Sequence, residues 1–302
     1  MTASTQLLAP GSSSTGPRTE GKAHPAGAIR PDPRLYQIFA LSSLLLYGLV
    51  RLNFQIAIGE ILIILTFSLS TQYLCTKLWR LPRFDPLSAM ISALSLILLL
   101  RTNSLALMAL AAMITISSKF LLRWRDKHIF NPTNFGLVIM IVATPAVWVS
   151  PSQWGTATYF AFLLICLGGL VVNRAARSDV TYAFLFFYVA ILFGRALWLG
   201  DPFSIPLRQL QSGAFLIFTF FMISDPRTTP DSRAGRILFA ASVAIGAGFV
   251  QFVLYRTNAL LWSLAIVALT TPLIDLLLPG SRYRWLSSLQ PHRPVRSEGA
   301  AS

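Results

Sequence analysis

Residues 212–230 read SGAFLIFTFFMISDPRTTP. The side chains from Ala214 to Ile223 are apolar almost without a break, and then Asp225, Pro226 and Arg227 follow in a row. At 1.5 Å per residue, the segment 212–224 covers about 20 Å of a hydrocarbon core about 30 Å thick. A membrane helix that stops this short and ends on charge has two readings. In one, SDPRTTP is a cytoplasmic loop, where Pro226 blocks the helix and Asp231 or Ser232 caps the next one. In the other, the helix ends inside the protein beside a cavity, where irregular backbone is tolerated. Asp225, Arg227 and Thr228 then face an anionic or hydrogen-bonding ligand.

The rest of the chain makes the membrane setting firm. Of its 302 residues 54% are hydrophobic and only 12% charged, with a mean hydropathy of +0.62. A soluble domain carries about twice that charged fraction. The formal charge of +14 is spread over many short loops, which weighs against a nucleic-acid partner. Ten apolar segments stand out, at residues 35–50, 54–75, 86–100, 104–121, 135–149, 158–173, 180–199, 212–224, 235–254 and 257–278. With the N-terminus in the cytoplasm, twenty Lys and Arg fall on the inner side and four on the outer, with Arg195 inside a segment. This asymmetry predicts a multi-pass protein of the cytoplasmic membrane with both termini inside. Residues 1–34, rich in Ser, Thr, Gly, Pro and Ala, read as a disordered cytoplasmic tail rather than a secretory signal, and 281–302 read likewise.

Ten spans divide into two fives, and an odd-numbered repeat must sit inverted relative to its copy. The expected fold is all-α, with a first five-helix repeat over 35–157 and a second over 158–280. IVATPAV near Pro145 and IVALTTPLI near Pro272 echo each other late in each half, and the third and eighth segments are both short. Paired short or interrupted segments point to a buried site in inverted-repeat membrane folds.

Few residues in these segments can carry chemistry. In HIFNPTNFG, residues 128–136, Pro132 with Thr133 or Asn134 suits a helix start. Asn131 and Asn134, with Gly136 permitting close backbone approach, also suit a polar ligand on a helix N-terminus. Glu60, Arg195 and Asp275 are charges within apolar segments, and such charges usually have a partner or a function. Glu60 and Arg195 lie near the outer ends of their segments and are expected to pair with each other; Asp275 is a candidate partner for Arg227. Phe184, Phe186, Phe187, Tyr188, Phe215, Phe218, Phe220 and Phe221 are core or lipid-facing aromatics, or flank a flat cofactor. Cys75 and Cys166 lack metal or disulfide spacing, and no apolar segment holds a histidine, so no metal or bis-histidine haem is expected.

DPLSAMISALSLILLL, Lys119, FNPTNFGLV, SGAFLIFTFFMISDPRTTP and TPLIDLL, in that order, resemble the Rnf D/Nqr B family of membrane flavoproteins. The resemblance runs over about residues 33–278 and looks like a divergent branch that includes UnbU-type proteins of enediyne biosynthesis. It implies ten helices in two inverted repeats, as in urea transporters, and electron transfer through flavin in a complex that pumps Na⁺ or H⁺. It also implies FMN on the threonine of a Ser-Gly-Ala-Thr motif between segments six and seven, and a noncovalent riboflavin. Here that loop is only NRAARSD, residues 173–179, followed by Val180 and Thr181, and the motif is absent. Covalent FMN is therefore not expected. Thr181 is the nearest hydroxyl by position, and Ser212 and Gly213 match only the first letters.

The expected function is a membrane electron-transport component with FMN or riboflavin held noncovalently by the residues of the two polar motifs, working with other membrane subunits and coupled to ion translocation. Two alternatives stand beside it: a channel or transporter for a small polar solute, and a membrane partner of a biosynthetic enzyme with no cofactor of its own.

Overall fold

The computed structural model describes residues 32–125, 127–149, 169 and 178–281. The sixth expected span (158–173) apart from Gly169, residues 173–177 of the next loop, Cys166, and the tails up to residue 31 and from residue 282 lie outside the described residues. The described chain is mostly helical: α1 (Pro33–Arg51), α2 (Ile58–Leu78), α3 (Pro86–Leu99), α4 (Leu105–Leu121), α5 (Pro132–Ala143), α6 (Ser178–Leu199), α7 (Ser204–Leu210), α8 (Gly213–Ile217), α9 (Arg233–Phe252), α10 (Ala259–Ala268) and α11 (Thr271–Leu277). Helix α8 runs directly into a π-helical turn at Phe218–Met222. Two short antiparallel pairs join loops, β1 (Leu100–Arg101) with β4 (Trp148–Val149) and β2 (Arg123–Trp124) with β3 (Lys127–His128).

By length and hydropathy α2, α6 and α9 can each cross a bilayer, and α10 with α11 makes a fourth crossing if their 48° bend is one broken span. Helices α3, α4, α5 and the 213–222 segment are apolar but shorter. The chain is thus a multi-pass membrane protein. Its inside and outside differ as lipid contact demands. Helix α3 is buried nearly all round, with Leu96, Ile97 and Leu98 closed off from solvent, so its apolar residues need no single face. Leu62, Leu74, Phe186, Leu197, Ile245 and Phe249 instead point outward as an apolar coat.

Three helices begin alike. Asp32, Asp85 and Asn131 each precede a proline that takes the first helical position. Their side chains accept the N–H of Arg34, Ser88 and Asn134 respectively. The fifth helix thus starts at Pro132, with Thr133 and Asn134 in its first turn as expected and Asn131 as its cap. It also ends earlier than expected: α5 stops at Ala143, so Pro145 lies beyond the helix, and Val149 pairs with Leu100. The last segment breaks between Ala268 and Thr271, with Pro272 opening its second piece. The two prolines that echo in sequence thus do different structural jobs. Ser232, not Asp231, caps α9 by accepting the Gly235 N–H at 3.0 Å.

The 213–222 segment is as short as its residue count implies. Helix α8 and its π turn hold ten residues, which at the α-helical rise span about 15 Å, half a hydrocarbon core. The π register is visible in the Ile223 N–H, which donates to the Phe218 carbonyl. Such turns recur at functional sites because they widen the helix and free carbonyls. After Met222 the chain turns back: Asp225 accepts the Arg227 N–H with its side chain, and its carbonyl accepts those of Thr228 and Thr229.

Candidate functional site

The broken helix separates two cavities, called inner and outer after the sidedness expected from the sequence. The inner one is bounded by the capped starts of α1, α3 and α5 and by the turn at 223–230, and its volume is about 60 Å³. That is room for a few waters or a small ion, not a ring system. Asn131 connects its walls. While its carbonyl oxygen caps α5, its amide donates to the Met222 carbonyl at 3.3 Å and reaches Asp225 Oδ2 at 3.5 Å. The N-cap of one helix thereby satisfies a terminal carbonyl of the broken one, which would otherwise be an orphan acceptor. Asn134 continues the seam by donating to the Leu261 carbonyl of α10 at 3.1 Å, and Thr133 donates to the Ser92 carbonyl of α3 at 3.4 Å.

Charge gathers at this inner end. Lys119, at the end of α4, is only 5% exposed, and its ammonium donates to the Ser88 carbonyl (2.7 Å) and hydroxyl (3.1 Å). Arg34 forks onto Asp85 at 2.7 Å and 2.8 Å while also holding Asp32, tying the start of α1 to that of α3. Arg227 Nη1 lies 3.4 Å from His128 Nε2. Burial first, then the charges of Arg227, Lys119 and Arg123, push the His128 imidazole down to about 3, so it is neutral at pH 7. A second inner cavity of about 300 Å³ adjoins the first, sharing Asp85, Ser88, Lys119, His128 and Arg227.

The outer cavity is larger, about 600 Å³, and mostly apolar. Tyr188 and Phe215 stack along its wall with centroids 5.5 Å apart, Phe184 stacks behind Tyr188 at 5.4 Å, and Phe218 lines the floor. One polar string crosses it: Tyr188 Oη donates to Gln251 Oε1 at 2.9 Å, and Gln251 Nε2 donates to Gln209 Oε1 at 3.2 Å. Ser212, Arg256 and Asn258 add polar groups at the rim.

The residues expected to bind one ligand are therefore divided. Asn131, Pro132, Asp225 and Arg227 line the inner cavity, with Asn134 and Thr228 buried just behind it. Ser212 lines the outer cavity, and Gly213 is buried beside it. Thr181 is 0% exposed, its hydroxyl reaches the Thr219 carbonyl at 3.5 Å, and it lines neither cavity. Two expected ion pairs give way to others. Arg195 pairs with Asp201 at 3.5 Å and lies over the Phe252 ring, whereas Glu60 acts on Arg101, opposing the burial that lowers that guanidinium to about 10. Asp275 pairs with Lys127 at 2.6 Å and accepts the Asp231 N–H, leaving Arg227 to His128. Sequence reasoning did not single out His128, Gln209 or Gln251. A lone buried histidine beside FNP was the available signal for the first; the glutamines carry none.

Comparison with known proteins bears on the half of the chain that holds the broken helix. The profile of the NQR2, RnfD, RnfE family matches residues 147–284. A protein from Alcanivorax borkumensis, named as the D subunit of an ion-translocating oxidoreductase complex, is 32% identical over 117 residues, 37% of this chain and 34% of that relative. Proteins of the same name from Shewanella pealeana and Cronobacter sakazakii are 27% identical over 145 residues and 29% over 128. These cover 47% and 41% of this chain, and 41% and 34% of the relatives. The matches thus span well under half the length of these curated relatives. SGAFLIFTFFMISDPRTTP and TPLIDLL both fall inside the matched stretch, and over that stretch the chain is similar to the NQR2, RnfD, RnfE family.

Proposed function

We propose that the chain is a membrane electron-transport subunit that holds a flavin noncovalently in its outer cavity and works with other subunits in ion translocation. The observation that carries this is the 600 Å³ aromatic cavity, a volume suited to a cofactor, with a flat wall of Tyr188 and Phe215 for a ring system. The Tyr188–Gln251–Gln209 string and Asn258 offer donors and acceptors to ring carbonyls and nitrogens. A flavin supplies one- and two-electron chemistry; this chain's residues bind and orient it and keep water from its faces. The residues present fit such a group. Thr257 lines the cavity, but it sits in the sequence Arg256-Thr257-Asn258 rather than in a Ser-Gly-Ala-Thr motif, so the reading keeps the flavin noncovalent, in a divergent, UnbU-like branch.

The proposed architecture is ten spans in two inverted repeats, with both termini cytoplasmic. Matching packing supports it: α2 packs on α3 and α4, and α4 on α5; α6 packs on the π turn and α9, and α9 on α10. Both halves also use a glycine for the closest approach. A Cβ at Gly136 would meet Thr115 across α4 and α5, and one at Gly246 would meet Ser263 across α9 and α10.

The test is the absorption spectrum of the protein purified with riboflavin or FMN supplied. Flavin bands that leave with the supernatant on denaturation are expected, with flavin content falling severalfold in Phe215→Ala and Gln251→Leu. Colourless protein, or flavin that stays on the polypeptide, sinks the reading. One feature favours a channel instead: Met222 lines both the inner and the outer cavity. Solute flux in proteoliposomes that rises in Met222→Ala, without bound flavin, would support that alternative.

A further inference from the structure

The inner end holds two cations that make no direct ion pair among the described residues, although Asp85 and Asp225 act on Lys119 at longer range. Among the described residues, neither Lys119 nor Arg227 has a carboxylate oxygen within 4 Å. Asp85 is held by Arg34 instead, and Asp225 accepts the Arg227 backbone N–H and faces Asn131. A buried ammonium left to two neutral oxygens is costly and favours a counter-charge. His128 adds a second sign. Its Nε2 faces the Arg227 guanidinium, which can only donate, so the ring proton belongs on Nδ1. That nitrogen is buried without a hydrogen-bond partner; the Lys119 carbonyl is close enough to favour a proton on the ring but completes no bond to Nδ1. The Gln72 side-chain oxygen, on the same cavity, is also buried and unpartnered, and an amide in that place can present its NH₂ group as readily.

These groups surround the 300 Å³ inner cavity, to which Arg123 and the exposed Arg83 add further positive charge. The volume exceeds that of a bare ion and suits a tetrahedral oxyanion carrying a small substituent. We propose that this cavity is a binding site for a phosphate group, held by Lys119 and Arg227, with Gln72 and His128 as hydrogen-bond donors and Arg83 at the entrance. Asp85, which also lines the cavity, and Asp225 act on Lys119 only beyond ion-pair distance, so two cations without a direct carboxylate contact remain to match a dianion, and guanidinium with ammonium is a common phosphate pairing. The group is carried either by a free phosphate or phosphomonoester from the cytoplasm or by an anionic lipid headgroup. The proposal goes beyond the flavin reading and does not depend on it, because the outer cavity shares none of these residues.

Thermal unfolding of the full chain in neutral detergent tests it, with inorganic phosphate against potassium chloride at equal ionic strength. Reconstitution into phosphatidylglycerol or phosphatidylcholine nanodiscs forms the second arm. Saturable stabilisation by phosphate identifies a soluble ligand. Stabilisation by phosphatidylglycerol alone identifies the headgroup, and both results support the site. The apparent affinity should weaken at least tenfold in Lys119→Met and Arg227→Gln and stay unchanged in Arg233→Gln, an exposed arginine outside the cavity. If Lys119→Met does not fold, Arg227→Gln and Gln72→Leu carry the same comparison. No stabilisation in either arm, or equal stabilisation in the cavity variants, overturns the proposal. Flavin content measured on the same samples separates this outcome from failure of the electron-transport reading.

Discussion

Asn131 offers a test that separates a helix cap from a link between helices. Its carbonyl oxygen caps α5, and its amide holds the Met222 carbonyl and approaches Asp225. Replacing it by alanine removes the cap, at about 1 kcal/mol. It also strands a buried carbonyl, at about 1–3 kcal/mol. The contact to Asp225 at 3.5 Å is long and adds little. Asn131→Ala should therefore lose about 2–4 kcal/mol. Asn131→Asp is the informative variant, because aspartate caps as well as asparagine. If capping were the whole role, that variant would be neutral. In this structure it removes the only donor to the Met222 carbonyl found among the described residues and sets a second carboxylate against Asp225. Two charges about 4 Å apart at an effective dielectric of 20 repel by about 4 kcal/mol, an upper bound because protonation relieves it. Asn131→Asp should thus be at least as unstable as Asn131→Ala at neutral pH, recover as pH falls, and be partly rescued by Asp225→Asn. Unfolding in detergent, followed by tryptophan fluorescence at two pH values, reads all four proteins. An Asn131→Asp variant as stable as the parent would refute the link between α5 and the broken helix.

Gly136→Ala should destabilise by about 1–3 kcal/mol, because the new Cβ would lie 1.9 Å from Thr115 Oγ1. Thr115→Ser leaves that oxygen in place and should not rescue it, whereas Thr115→Ala should, and thermal unfolding of the double variants decides. The pH dependence of stability should carry a term from His128. Its folded value of about 3 lies below the unfolded value of about 6.5, so the unfolded chain binds the extra proton. Stability is then complete above pH 6.5 and falls toward pH 5 by up to about 1.4 kcal/mol per unit. His128→Gln should flatten that slope, and an unchanged slope would show that the imidazole is not held neutral.

What the sequence could convey depended on whether the cause was local. Asp32, Asp85 and Asn131 precede prolines, and a short polar side chain before a residue with fixed φ starts a helix in any surroundings. The short segment before Asp225 was equally visible, since helix length follows from residue count. Depth within an apolar segment was visible for Glu60, Arg195 and Asp275, but the partner was not. Arg195 took Asp201, six residues away across the turn after α6, and Asp275 took Lys127 from a hairpin 148 positions distant. Nothing local distinguishes those carboxylates from Glu60, or that lysine from Arg227. Length alone, however, bears on the division of the site. Ser212 and Asp225 flank a helix about 15 Å long, so they open on opposite cavities unless the helix folds back on itself. The broken helix is thus a partition, with aromatic residues facing a large cavity at one end and an Asp-Pro turn closing a charged one at the other. Its place in the fold follows from the Asn131 amide, which ties the C-terminal end of the broken helix to the start of α5.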